Sequence, residues 1–206
     1  MTGNAFILRL AGLLLLCFSH LCLADCTASS ASGSFGSLSS FTLASTAETV
    51  ETGSGFTCTG GLLTLLSTDT ITATIASSAG ENGSTPQMTS ASGSAIPYTI
   101  CASSGCGTTY PIGQTITWNS TSLLGLLGLF DASDGSLPLY IHTTAGLNVP
   151  AGTYTDTITI DWHYNICFIG LLGICAYTTG DTTSAVTLTA IVTNDCTIEE
   201  APDVSF

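Results

Sequence analysis

From Asp25 onward the chain shows no long segment with helical periodicity; short β-branched runs recur instead. They are TDTITATIA, AIPYTICA, GQTITWN, LPLYIHT, GTYTDTITIDWHYNI and TSAVTLTAIVT, and several alternate with period two. In TDTITIDWHY, Ile158, Ile160 and Trp162 fall on one side of a strand, and Thr157, Thr159, Asp161 and His163 on the other. Clusters of Gly, Ser, Pro and Asn separate the runs. Many short strands with turn signals between them predict a β-sandwich or barrel. The roughly 180 residues after Ala24 are enough to bury one good core.

Three stretches break this pattern: GGLLTLLS at Gly60–Ser67, LLGLLGLF at Leu123–Phe130 and CFIGLLGIC at Cys167–Cys175. Each falls between predicted strands. A core strand favours β-branched residues and avoids internal glycine, whereas these favour Leu and contain Gly125, Gly128, Gly170 and Gly173. Two readings stand: apolar loops tucked against the sandwich or over its end, and apolar fingertips exposed together at one pole.

The first 24 residues differ from the rest. Arg9, an apolar run from Leu10 to Phe18 and the small-residue end CLA predict a secretory signal peptide over 1–24. The run is well short of the roughly 20 residues that span a bilayer. Asp25 directly before Cys26 argues against a lipoprotein signal. Without the signal, no Lys or Arg remains and the formal charge moves from −13 to −14. Phosphate contacts need such cations, so nucleic acid is excluded as a partner, as is polybasic attraction to anionic lipid. The 45% apolar content is that of a globular domain, not of a disordered chain.

Export turns the cysteines into disulfide candidates. Proximity favours Cys101–Cys106 and Cys167–Cys175 as loop clamps, which leaves Cys26–Cys58 as the longer bridge and Cys196 as the odd one. A zinc site is disfavoured, because no CxxC occurs and His142 is distant in sequence from any cysteine pair. NGS at Asn82 and NST at Asn119 fit the glycosylation pattern, which arises freely in a chain this rich in Ser and Thr.

Catalytic signals are lacking. A P-loop needs a lysine, and HExxH and GxSxG are absent. Asp156 and Asp161 face opposite sides of a strand, and Asp131 with Asp134 sit in DASDG, which is turn chemistry. His142 and His163 read as partly buried, hydrogen-bonded strand residues rather than as general bases. The expectation is a protein with no catalytic residues, no metal and no cofactor.

Several segments together resemble the spore coat U domain, the pilin-like fold of archaic, Csu-type chaperone–usher pili. CTASSASGSFG resembles the family's first strand, with Cys26 and the Phe35-Gly36 pair, and Cys58 matches the partner of the first cysteine. PQMTSASGSAIPYTICASSGC resembles a region where members carry Arg-x-Met; here Gln87 stands beside Met88 and the arginine is missing. LPLYIHTTAGLNVPAGTYTDTITIDWHY is the strongest match, above all Pro150 to Asp156, where Pro and Gly turn the chain into an alternating strand. The resemblance covers most of Cys26–Tyr164. It implies an all-β, immunoglobulin-like Greek-key β-sandwich in an extracellular pilus subunit. Its partners would be a periplasmic pilus chaperone, the outer-membrane usher and the next pilus subunit. A pilin domain lacks its last strand and receives it from a partner by strand addition.

Here the chain continues past the expected end, through Cys167–Cys175 into Thr183–Thr193, a candidate closing strand. That suits a tip adhesin domain, expected over 25–194, which receives no donor. CTIEEAPDVSF from Cys196 echoes CTASSASGSF from Cys26, so 195–206 reads as a linker and the start of a truncated second, pilin domain that would hold the partner of Cys196; an ordinary polar tail is the other reading. Csu-type tip adhesins grip abiotic surfaces through hydrophobic finger loops. The resemblance therefore implies hydrophobic-surface attachment and biofilm formation through Leu62, Leu63, Leu65, Leu66, Leu123, Leu124, Leu126, Leu127, Leu129, Phe130, Phe168, Ile169, Leu171, Leu172 and Ile174. The alternative is a structural pilin or coat subunit whose apolar loops are packed.

Overall fold

The computed structural model describes residues 25–59, 63–122, 128–171 and 174–194. Every run with strand character forms a strand. TDTITATIA lies in β5 (Leu63–Ser78), AIPYTICA in β7 (Ala95–Cys101), and GQTITWN in β8 (Thr115–Ser122). LPLYIHT gives β9 (Pro138–Thr143), and the two long final runs give β10 (Gly152–Leu171) and β11 (Ile174–Thr193). Less regular sequence supplies β1 (Asp25–Ala28), β2 (Ala31–Ser39), β3 (Thr49–Gly53), β4 (Phe56–Thr59) and β6 (Gln87–Ser90). One short helix, α1 (Ser40–Ser45), follows β2; the Ser39 hydroxyl caps it by accepting the Phe41 N–H at 3.2 Å, and Leu43 anchors it in the core.

The strands form an immunoglobulin-like sandwich. In one layer β8 pairs β5, β5 pairs β10, β10 pairs β11 and β11 pairs β2; in the other, β6, β7, β9 and β3 follow in order. The start of β10 joins the layers, because Tyr154 and Thr155 pair with β6 before the strand turns to β5 at Ile158. Beside them β1 and β4 form a two-stranded pair in which Cys26 lies directly opposite Cys58. The structure holds the three expected disulfides, Cys26–Cys58, Cys101–Cys106 and Cys167–Cys175.

Alternation decides what enters the core. Tyr154, Asp156, Ile158, Ile160, Trp162, Tyr164 and Ile166 point inward along β10. Phe56 stacks on Trp162 at 4.4 Å, and Trp118 approaches Trp162 at 6.0 Å. The Trp162 indole donates to the Ser184 hydroxyl of β11 at 2.8 Å. Asp156 travels inward with its apolar neighbours and is fully partnered. It accepts Tyr98 O–H at 2.6 Å, Gly80 N–H at 3.0 Å, Thr157 N–H at 2.7 Å, and the Ser78 hydroxyl. Burial, then Asp156, drives the Tyr98 hydroxyl far above its ordinary value, so it stays a donor.

β11 occupies the place between β10 and β2. It runs antiparallel to β10 from Gly152↔Val192 to Leu171↔Ile174, and parallel to β2 from Val186↔Ala31 to Thr193↔Ser39. Ser184, Val186, Leu188, Ala190 and Val192 are all buried. The chain itself thus supplies a strand between β10 and β2. At Gly55 the backbone has φ +75° and an added Cβ would collide with the Ser29 carbonyl, so only glycine fits this turn into β4.

Of the two histidines, both hydrogen-bonded on strands, His142 has the partial burial expected and His163 does not. His163 is exposed and bonds Asp181 at 2.8 Å across the β10–β11 ladder. His142 is half-buried, with Nδ1 3.0 Å from the Thr49 hydroxyl.

Candidate surface-binding pole

Strand register places the flanks of all three apolar stretches at one end of the β8–β5–β10–β11 layer. Leu63 and Thr64, just after the first stretch begins, pair with Ile169 and Gly170 of the third. Leu65 pairs with Ser122, the residue before the second. Leu171 pairs with Ile174 where β10 turns into β11. Stretches more than 100 positions apart thus converge because antiparallel neighbours share their ends.

The first and third stretches are strand for most of their length, where the sequence suggested loops. Leu63, Leu65 and Leu66 belong to β5, Phe168, Ile169 and Leu171 to β10, and Ile174 to β11. Cross-strand hydrogen bonds outweigh the low strand propensity of Leu and Gly when a partner strand is already aligned. Leu62, Leu123, Leu124, Leu126, Leu127 and Leu172 lie outside the described residues. Leu129 and Phe130 are half-buried against the core, with the Phe130 ring 6.4 Å from Phe56, so the end of the second stretch is tied to the interior.

The base of the pole carries a feature the sequence reading missed. Asp69 is buried and accepts the Cys167 N–H at 2.7 Å, where the β5–β10 register slips between Asn165 and Ile169. A carboxylate thus holds the backbone of the residue whose disulfide to Cys175 closes the β10–β11 hairpin. Burial raises the Asp69 carboxyl above its usual range, and the Cys167 N–H partly offsets this. A signal was available: Asp69 is in phase with Ile71, Ala73 and Ile75, the inward set of β5. Tyr177, opposite Cys167, is exposed. Thr193 lies at the far end of β11, roughly 60 Å from Ile174 for 20 residues at ~3.3 Å each.

Residues 13–161 match the model of the Spore Coat Protein U domain. That is more than half of the chain, and the chain belongs to this family. The fold is that of chaperone–usher pilus subunits and adhesins. The structure is similar to the tip subunit in the CsuC–CsuE chaperone–tip adhesion subunit pre-assembly complex from archaic chaperone–usher Csu pili of Acinetobacter baumannii, with 25% identity and a TM-score of 0.62. The match covers 88% of this chain and 65% of that one, just under two thirds of its length. A fainter likeness is to CfaE, the adhesive subunit of CFA/I fimbria of enterotoxigenic Escherichia coli. There the identity is 16% and the TM-score 0.38, over 71% of this chain and 41% of that one. No curated protein sequence matches the chain. Family and structural neighbours are pilus structural and adhesive proteins, not enzymes.

Proposed function

We propose that this chain is the tip adhesin of a chaperone–usher pilus, attaching cells to hydrophobic or abiotic surfaces and promoting biofilm through the apolar stretches at one pole. The observation that carries the reading is that strand register brings the flanks of the three stretches to the same end of one sheet. A domain whose own β11 lies between β10 and β2 has no vacancy there for a donor strand, as suits the last subunit of a fibre. The far end of β11 then leads toward the fibre.

On this reading residues 1–24 are a signal peptide, 25–194 the adhesin domain, and 195–206 the start of a second, pilin domain. Export passes through the periplasm, with a pilus chaperone and an outer-membrane usher as partners and the next subunit joined beyond Thr193. The match to a chaperone-bound tip subunit supports the first of these partners.

The energetics suffice for attachment. Fully burying one Leu, Ile or Phe is worth roughly 1.5–3 kcal/mol. A dozen such side chains, each about a quarter buried against a flat surface, would contribute several kcal/mol per tip, and many fibres per cell multiply weak contacts.

The test replaces Leu126, Leu127, Phe168 and Leu172 with Ser in the full chain. Exposed side chains would leave the melting temperature close to the parent's, because surface substitutions usually stay within about ±0.5 kcal/mol each, while adhesion to polystyrene collapses. Core side chains would cost roughly 2–5 kcal/mol apiece and unfold the domain. An early-melting variant refutes the exposed-finger model, and one that melts normally yet still adheres refutes the adhesive role.

A further inference from the structure

A hollow of about 220 Å³ opens beside the root of the second apolar stretch. Its walls come from distant parts of the chain: Ser103 and Ser104 of the Cys101–Cys106 loop, Trp118 of β8, Leu129 near the end of the second stretch with Asp131 just after it, and Tyr140 of β9. The disulfide between Cys101 and Cys106, five positions apart, holds the serine wall beside β7. Trp118 and Tyr140 are both half-buried, so each keeps part of its side chain open to solvent. Trp118 is backed by Trp162 at 6.0 Å, which fixes that wall.

The charge around the hollow has one sign. Asp131 lines it, and Glu51 stands directly opposite Tyr140 in the β3–β9 register. The Tyr140 hydroxyl is raised above its ordinary value by burial and then by Glu51 and Asp131. Among the described residues there is no Lys or Arg to pair with these carboxylates, and the whole chain has a formal charge of −13. An anion would be repelled. A neutral sugar would find hydroxyls and a carboxylate, but no Asn, Gln or Arg side chain from the described residues lines the hollow to donate to its oxygens. The space is smaller than the ~300–1,000 Å³ of pockets for drug-sized ligands, so it suits a compact head group rather than an oligosaccharide.

We propose that this hollow is a binding site for a small organic cation, a quaternary ammonium or compact amine group held between Trp118 and Tyr140 with Asp131 as counter-charge. A diffuse cation over aromatic faces needs no hydrogen-bond donors and gains from neighbouring carboxylates. The site shares Leu129 with the second apolar stretch but does not rest on the adhesive reading.

The test titrates the full chain with choline, with 3,3-dimethylbutan-1-ol (its uncharged isostere) and with glucose and galactose, following the indole N–H signals of Trp118 and Trp162 by NMR. Choline is expected to bind saturably and shift the Trp118 signal more than that of buried Trp162. Replacing its charge by the isostere should weaken binding at least about fivefold, as should Asp131→Asn, an exposed position whose change leaves the fold intact. Tyr140→Leu should weaken it likewise, with an unchanged melting temperature or unshifted core signals as the folding control. Equal binding of the isostere, preference for a monosaccharide, an unaffected Asp131→Asn variant, or no choline binding by the folded parent each overturns the proposal.

Discussion

The fold stands or falls with β11, and Leu188 is the position to challenge. It lies in the middle of the strand's inward set, fully buried between Val186 and Ala190, with its backbone paired to Asp156 of β10 and Gly33 of β2. Leu188→Ala removes the buried branch and leaves a cavity that rigid strands on both sides cannot close. Such truncations cost roughly 2–5 kcal/mol, a large fraction of the ~5–15 kcal/mol of a whole domain. At about 2–4 °C per kcal/mol for a domain of this size, the melting temperature should fall by roughly 4–20 °C. Thr187→Ala, next in sequence but exposed, is the control and should stay within about ±0.5 kcal/mol. Urea unfolding of both variants beside the parent measures the difference, and an unchanged slope shows that the cooperative unit is the same. If Leu188→Ala is as stable as Thr187→Ala, β11 is an accessory to the sandwich rather than part of its core, and the self-closed domain is refuted.

Asp156→Ala deprives four donors of one buried carboxylate and should cost about 3–5 kcal/mol, whereas Tyr98→Phe removes one donor and leaves the others satisfied, for about 1.5–3 kcal/mol; the reverse order in urea unfolding would contradict the network. Asp69 gives a pH signature. Its folded carboxyl holds its proton more tightly than the unfolded one, so its contribution is fully present below the ordinary carboxylate value of 3.8 and is lost as pH rises through the raised value. Asp69→Asn can still accept the Cys167 N–H without a buried charge. The variant should therefore melt above the parent at pH 7, with the gap closing toward pH 4; a gap that widens on acidification would refute burial as the cause.

Much of the architecture was legible in local pattern. Strand alternation in TDTITIDWHY reports which side chains meet the core, because successive side chains of a strand point to opposite faces whatever its neighbours are. The same rule could have revealed Asp69 and Asp156 as buried, since each is in phase with apolar neighbours. Cysteine spacing pointed to Cys101–Cys106 and Cys167–Cys175 for a similarly local reason, because nearby cysteines have short loops to close, whereas Cys26–Cys58, 32 positions apart, was only the pair that remained. What only the tertiary structure decided is which strand lies beside which. Pairing is a relation between distant segments, so no local signal told that β2 would lie parallel to β11, or that partner strands would carry β5, β10 and β11 into the Leu- and Gly-rich stretches. The hollow beside Tyr140 has the same origin. Its aromatic rings and its carboxylate come from positions 118, 131 and 140 on separate elements, and they become one site only when the sandwich brings those elements together.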